Sequence, residues 1–462
     1  MKVPLLVIGG GLSGLAAAIR AARFTPDVLL VEKHSRLGGL NSYFYRNKIL
    51  FETGLHAITN YAEPDNKKAP LNRLLRQLKL PRKELTFCQQ LQSEIVFRDC
   101  QSLLFSNDFE LFRTEINTKF PKAVDHFHRL LQFLHTFDPF LPAPFRSTKK
   151  FLAEMIPDPL LIEMMLCPLM YYGSSHEQDM DLSQFAIMFR AIFQEGMFRP
   201  RGTMKDFIEL IDTHYLNLGG TRRLCCGVKN IIVQQNRAMG VELESGEIIE
   251  CNHIVSTIGH AETFRLIAGH RVPEEKLPRL GFIESIFHVK EPSPSPLPAD
   301  RTIIFFNDGH RFSYASPVDF VDFSSGVICF PANFRGLPAK SMREIRSTHL
   351  ANGSKWQNLA ASPAEYTMQK QAAAQLSVQL LENMIGSFWS NIVYVDTFTP
   401  VTIERYTSKM GGAIYGSPNK IKDGNIGFSN LFLAGTDQGF LGIIGSMLSG
   451  VSIVNQHILP KL

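Results

Sequence analysis

An α/β fold, with a parallel sheet that opens on a nucleotide-binding turn, is predicted by three features of the sequence. Gly9, Gly11 and Gly14 give the spacing G-x-G-x-x-G between an apolar run at 5–8 and an Ala-rich helical stretch at 15–23. Glu32 closes a second apolar run, 28–31. Leu37-Gly38-Gly39-Leu40-Asn41-Ser42 then brings a further glycine pair. Each glycine of the triplet has a physical task. Gly9 permits the tight turn from strand to helix, Gly11 lets a pyrophosphate approach the backbone, and Gly14 lets the helix lie close on its strand.

A glycine triplet by itself is weak, because many Gly-rich turns only connect elements. The order strand, glycines, helix and acid makes it a dinucleotide site. The helix N-terminus, from Leu12 and Ser13 onward, offers free N–H groups and a positive dipole end to the phosphates. Glu32, followed by Lys33, is placed for the adenosine ribose, and its carboxylate argues against a 2′-phosphate. The loop Gly38-Gly39-Leu40-Asn41 crosses the same pyrophosphate, an extension that resembles the flavoprotein form of the motif. The expected cofactor is FAD. A second G-x-G-x-x-G unit is missing, so no dedicated nicotinamide domain is expected. The electron acceptor stays open between a quinone and oxygen.

With 462 residues, 45% hydrophobic and 20% charged, the chain can bury a large core and is expected to form two domains. The net charge of +5 comes without a basic run or an aromatic-interleaved basic patch, so nucleic acid is not an expected partner. Ordinary solubility and a weak attraction to anionic membrane surfaces both accommodate that surplus. The seven cysteines contain no C-x-x-C, and His126, His128, His135, His176, His214 and His310 are too scattered for a metal site. No metal is expected. The apolar start reads as the first strand rather than a signal peptide, and 440–454 is too short and Gly-rich for a membrane span. A cytoplasmic location, with peripheral contact on the membrane face as the alternative, is the expectation.

The organisation suggests a Rossmann-type cofactor domain in three pieces, 1–70, 200–265 and 392–462. A mixed α+β substrate domain is inserted twice, at 71–199 and 266–391. The first insertion has helical patterns at 123–137 and 160–172, broken by Pro139, Pro142, Pro144, Pro157 and Pro159. Strand-like runs at 227–234, 240–244 and 248–257 return to the cofactor domain, turning at Glu244-Ser245-Gly246-Glu247. The second insertion has strand-like runs at 282–289, 302–306 and 327–330, a Pro/Ser loop at 292–298 and a helix at 364–385.

Further segments carry a family resemblance from end to end. They are Arg199-Pro200-Arg201-Gly202-Thr203-Met204 leading to Leu218-Gly219-Gly220, then Val228-Lys229-Asn230-Ile231 and Val255-Ser256-Thr257. The last is Asn430-Leu431-Phe432-Leu433-Ala434-Gly435-Thr436-Asp437, followed by Gly439 to Met447. With the opening motif, they resemble the carotenoid desaturase, carotenoid isomerase and retinol saturase group within the flavin amine oxidase superfamily. The resemblance implies a glutathione-reductase-like FAD domain carrying a lipid-binding insertion. It implies that Val228 meets the adenine through its backbone, and that Gly435 and Asp437 meet the pyrophosphate and ribityl chain. Gly442, Ile443 and Ile444 would present a helix N-terminus to the pyrimidine end of the flavin, where reduced flavin carries negative charge. The chain reads Phe440-Leu441-Gly442 where the desaturases carry a Pro-Gly pair, which leaves isomerisation and saturation open beside desaturation.

Glu52, His56 and Arg405 are the expected polar residues near the reaction centre. Glu52 and His56 follow the family's loop past the flavin ring, and an acid there could polarise a polyene; structural roles for all three are equally compatible with the sequence. The Phe-rich stretch Phe127, Phe133, Phe137, Phe140, Phe145 and Phe151, ending near Lys149 and Lys150, fits a lipid tunnel, a bilayer-facing surface or a plain core. The expected function is an FAD-dependent oxidoreductase acting on a hydrophobic small molecule, an isoprenoid or polyene lipid. A flavin amine oxidase and a non-enzymatic prenyl-lipid escort similar to Rab GDP-dissociation inhibitors are the alternatives.

Overall fold

The first strand, Lys2–Ile8, is apolar almost throughout because both of its faces are covered, as parallel strands require. It lies at the centre of a seven-stranded sheet in the computed structural model, which describes residues 2–54, 57–274, 277–290, 297–338 and 342–462. Val28–Val31 and Ile248–Ser256 flank it in parallel, Thr221–Arg223 extends one edge, and Leu431–Leu433 pairs with Ile248–Ser256. Arg237–Leu243 and Val228–Gln234 complete the sheet as an antiparallel pair. The helix Leu12–Ala22 is buried nearly all round because it lies between this sheet and the C-terminal helix Gly442–Ile453. A Cβ at Gly450 would come within 2.2 Å of the Ser13 carbonyl oxygen, so the two helices touch backbone to backbone.

A second seven-stranded sheet runs in the order Ile392–Phe398, Gly281–Lys290, Met342–Ala351, Val321–Cys329, Arg301–Asp308, Gln92–Arg98, Gln101–Phe105. Its pairs are antiparallel except the one between Arg301–Asp308 and Gln92–Arg98. Alternate side chains serve two cores. Phe305 packs with Phe112, Phe127, Phe189 and Phe193 of the helical layer, whereas Ile304 and Phe306 meet Val378, Leu381 and Ile385 of the long helix Pro363–Ile385.

The expected α/β class and its elements are present, with four corrections. The hairpin Gln92–Phe105 lies where helices were expected, and only the buried Ser93, Ile95 and Phe97 betray its alternation. Met342–Ala351 escaped notice because its interior residues include Arg346, Ser347 and His349, all fully buried yet polar. The boundary expected at 392 moves, since Ile392–Phe398 is an edge strand of the second sheet. The apolar C-terminal run is longer than the sequence suggested: Gly442–Lys461 is, by length and composition, long enough to cross a membrane. Half of it is buried against the cofactor-side sheet, as a core helix would be. The expected Pro/Ser loop lies, for residues 292–296, outside the described residues.

Candidate active site

The first strand ends in a turn that has no side chain to shield the helix behind it. Gly9 sits at φ +101°, and a Cβ at Gly14 would stand 1.9 Å from the Gly9 carbonyl oxygen, so that glycine sets the approach of helix to turn. Gly11 is the N-cap of Leu12–Ala22, with no side-chain cap and no acid in the first turn. The orphan N–H groups there need an acceptor. Gly38 N donates to Gly10 O at 2.9 Å, which draws Gly38-Gly39 across the same turn. A Cβ on Gly11 would point into open space, its nearest neighbour being Gly39 Cα at 4.0 Å. Beside it the buried Ser13 hydroxyl has no hydrogen-bond partner among the described residues. A backbone cradle with an unused buried hydroxyl fits the pyrophosphate of FAD.

From this cradle a cavity of about 1410 Å³ runs between the two sheets. It is lined by Gly9, Gly11, Leu12, Ser13, Glu32, Lys33, Gly38, Gly39, Leu40, Asn41, Val228, Gly435, Gly442 and Ile443. The Glu32 carboxylate accepts from Gly10 N at 2.6 Å and His34 N at 2.7 Å, which fixes its orientation at the cavity wall. Lys33 pairs with Glu244 at 3.0 Å, both at the cavity's solvent-exposed rim.

Three residues expected at the cofactor lie behind the wall instead. Gly14 is a spacing residue, as its contact with Gly9 dictates. Ile444 is buried in the core beneath the cradle. Asp437 is fully engaged within the protein: it accepts from His260 N at 2.5 Å and Ser417 N at 2.6 Å, with the Lys420 ammonium 4.0 Å away. It ties two loops beneath the cavity floor. Burial pushes the Lys420 pKa down to about 8, against the attraction of Asp437.

The far end of the cavity is aromatic. Tyr171, Tyr172, Phe282, Val327, Ile414 and Tyr415 line it, opposite the Gly442 helix start. The Phe282 ring centroid lies 6.2 Å from that of Tyr171 and 5.7 Å from that of Tyr415, and Tyr415 donates its hydroxyl proton to Tyr171 O. The Tyr172 hydroxyl makes no well-formed hydrogen bond among the described residues, and burial holds its pKa well above the ordinary value.

Glu284, two residues from Phe282, is one of the carboxylates that line the cavity. It stands in the otherwise apolar start of Gly281–Lys290 and is held by Arg346 Nη1 at 2.9 Å, with Thr348 Oγ1 at 3.4 Å. Arg346 is fully buried, and it also donates to Glu344 Oε1 at 2.6 Å and to Glu52 O at 2.6 Å. Burial opposes its charge, but Glu344 and Glu284 outweigh that and raise its pKa.

Neither described member of the expected trio reaches this chamber. Glu52 turns away from the cavity, its carboxylate held by Arg199 Nη2 at 2.5 Å and by Met204 N at 2.6 Å, the first N–H of the helix Met204–Asn217. It is a structural clamp joining the antiparallel pair Tyr43–Arg46 and Ile49–Glu52 to that helix. His56 lies outside the described residues. Arg405 does line the cavity, but on the nucleotide side: the neighbouring Tyr406 ring meets His34, next to Glu32, at 5.6 Å. The Phe-rich stretch lines no part of the cavity. Phe127 and Phe151 are core, Phe133 and Phe137 pack at its margin, and Phe140 and Phe145 are exposed. Sequence reading missed Glu284, Tyr172 and Tyr415; the one usable signal was a glutamate inside an apolar strand.

Comparisons with known proteins agree with this geometry. The family model described as "Flavin containing amine oxidoreductase" matches residues 12–276. Prolycopene isomerase from Daucus carota is 20% identical over 91% of this chain and 73% of its own length. The 4,4'-diapolycopene oxygenase of Methylomonas sp is 24% identical over 55% of each chain. Among solved structures, an oxidoreductase from Methanosarcina mazei superposes with a TM-score of 0.68 at 14% identity, covering 99% of this chain and 100% of its own.

Proposed function

The chain belongs to the flavin containing amine oxidoreductases and is an FAD-dependent oxidoreductase, and from that premise we propose that its substrate is an isoprenoid polyene lipid. The reaction changes carbon–carbon double bonds, by desaturation, isomerisation or saturation. The observation that carries this reading is the continuous cavity joining the glycine cradle to an aromatic chamber beside Glu284. Relatives whose names specify prolycopene and diapolycopene support the substrate class.

When bound, FAD supplies two-electron chemistry, taking or returning a hydride equivalent. The chain's residues do the rest. The amides from Gly11 to Ser13 and the Ser13 hydroxyl would hold the pyrophosphate, Glu32 the ribose, and the N-terminus at Gly442 and Ile443 the pyrimidine edge. Tyr171, Tyr172, Phe282 and Tyr415 orient an extended apolar chain and exclude water. Glu284 takes or gives the proton at a polyene carbon, with Arg346 fixing its carboxylate. Peripheral contact with a membrane, from which such a lipid must come, is part of the same reading.

An aromatic chamber with a carboxylate also suits a substrate ammonium, which is the specific observation favouring an amine oxidase as second reading. Anaerobic incubation of the purified protein with polyene lipids and with amines separates the two. Flavin bleaching or product formation with polyenes supports the proposal; bleaching by amines alone sinks it. A colourless protein that cannot be reconstituted with FAD would favour the lipid escort.

A further inference from the structure

The turn Leu224-Cys225-Cys226-Gly227 joins the edge strand Thr221–Arg223 to the strand Val228–Gln234, and it carries two adjacent thiols. Cys225 is exposed and stands at φ +51°, in the left-handed region that residues with a side chain rarely adopt. Cys226 is half-buried and lines the cavity wall together with Glu32 and Val228. Both backbone amides are spent on the segment that positions the ribose acid. Cys225 N donates to His34 O at 3.1 Å, and Cys226 N donates to Glu32 O at 2.8 Å. The Glu32 carboxylate in turn accepts from Gly10 N and His34 N. The pair thus sits behind the adenosine end of the cofactor site, one thiol in solvent and the other at the wall. Strained backbone of this kind persists only where its surroundings hold it, and here they hold it against the ribose segment.

Neighbouring Cα atoms across a trans peptide lie about 3.8 Å apart, shorter than the roughly 4.4–6.8 Å usual for a disulfide. A bond between these two sulfurs closes a small ring and twists the peptide inside it. The N–H of that peptide is the one Cys226 gives to Glu32 O. A strained link is easily reduced, so the dithiol is the resting form and a strong oxidant is needed to close the ring. Burial pushes the Cys226 thiol pKa up, which leaves the exposed Cys225 as the thiol that meets the oxidant first.

We propose that Cys225 and Cys226 form a peroxide-sensitive vicinal disulfide that weakens the hold of the site on FAD. Hydrogen peroxide is the oxidant, and a reduced flavin reoxidised by oxygen releases it. The Cys225 sulfur attacks one peroxide oxygen and the O–O bond breaks. The other oxygen leaves as water with the thiol proton, and Cys225 is left as a sulfenic acid. The Cys226 sulfur then attacks the Cys225 sulfur, the S–O bond breaks, and the hydroxyl leaves as water with the Cys226 proton. Two thiols lose two electrons, and one peroxide becomes two waters. Twisting the peptide removes the hydrogen bond to Glu32 O and draws the Cys226 sulfur away from the wall. Binding and oxidation are then linked: FAD opposes the disulfide by the same factor by which the disulfide weakens FAD.

Peroxide treatment of the full-length protein, followed by peptide mass mapping and flavin-fluorescence titration, tests this. The peptide holding Cys225 and Cys226 should lose two hydrogens, FAD affinity should fall at least about tenfold, and dithiothreitol should restore both. In graded glutathione redox buffers, FAD should shift the dithiol–disulfide midpoint by that same factor, which damage to the fold would not do. C225S, which leaves the cavity wall intact, should bind FAD as the parent does and ignore peroxide. Should C225S fold poorly, C225G, suited to φ +51°, takes its place. The inference would be overturned by no disulfide or one formed elsewhere, or by a 225–226 disulfide that leaves FAD affinity unchanged. A midpoint that FAD does not move, or a fall in FAD affinity with peroxide that persists in C225S, would overturn it equally.

Discussion

The two ends of the cavity are built on opposite principles. At the nucleotide end the chain shows its backbone: Gly9, Gly11, Gly38 and Gly39 withhold side chains so that N–H groups and a helix terminus face the ligand. At the aromatic end it shows side chains, brought from four distant segments: Tyr171 and Tyr172, Phe282 and Glu284, Val327, and Tyr415. The first end needs particular residue types at fixed spacing within forty or so positions, which is why it is legible as a motif. The second needs only that bulky rings and an acid meet in space, a requirement that leaves no local pattern. The cofactor end is thus general to the fold, and our proposal puts the chemistry that distinguishes this chain at the other end.

Substitutions can break this contrast. The largest effect is expected for Glu284→Gln, which keeps size but removes the charge. Turnover of a polyene should fall by about 10² to 10⁴, with FAD content unchanged by absorbance. An unaltered rate would return Glu284 to a structural role. Arg346→Met leaves Glu284 and Glu344 buried without their cation, and should lower stability by about 3–5 kcal/mol in denaturant titration. At the opposite end, Gly11→Val fills the cradle. Its backbone, at φ −67°, tolerates a side chain, so the apoprotein should melt as the parent does while FAD affinity drops at least about a hundredfold. Glu32→Ala should weaken FAD by about tenfold in a flavin-fluorescence titration, the scale of lost ribose hydrogen bonds. If Gly11→Val and Glu32→Ala left the flavin in place, the assignment of the nucleotide end would fail.

The same contrast explains how much could be read beforehand. The parallel sheet, the glycine turn, Glu32 and the late Gly435 and Gly442 positions were legible because backbone geometry dictates residue type there. Asp437 was read as a ligand contact because it follows the right glycine, yet its carboxylate is taken by His260 N and Ser417 N. Such tertiary hydrogen bonds have no sequence signature. Glu52 is of the same kind: the sequence leaves a reactive and a structural role open, and the Arg199 that holds its carboxylate lies far along the chain. The strand Met342–Ala351 hid behind its polar interior, since a buried Arg346 looks like an exposed one until its three partners are placed around it. The Phe-rich stretch proved to be two things at once, core at Phe127 and surface at Phe140 and Phe145, because periodicity alone does not tell which layer covers a helix or its trailing loop.

The central claim, that an aromatic chamber beside Glu284 serves a polyene in front of a flavin, is met most directly by product analysis. The yellow protein, oxidised in one sample and reduced with dithionite in another, is incubated anaerobically with a polyene lipid, and the lipid is resolved by chromatography and mass. A polyene desaturated, isomerised or saturated in one of the two samples, and left intact with Glu284→Gln, is the predicted result. Intact polyene in both samples, while an amine bleaches the oxidised flavin, would contradict it.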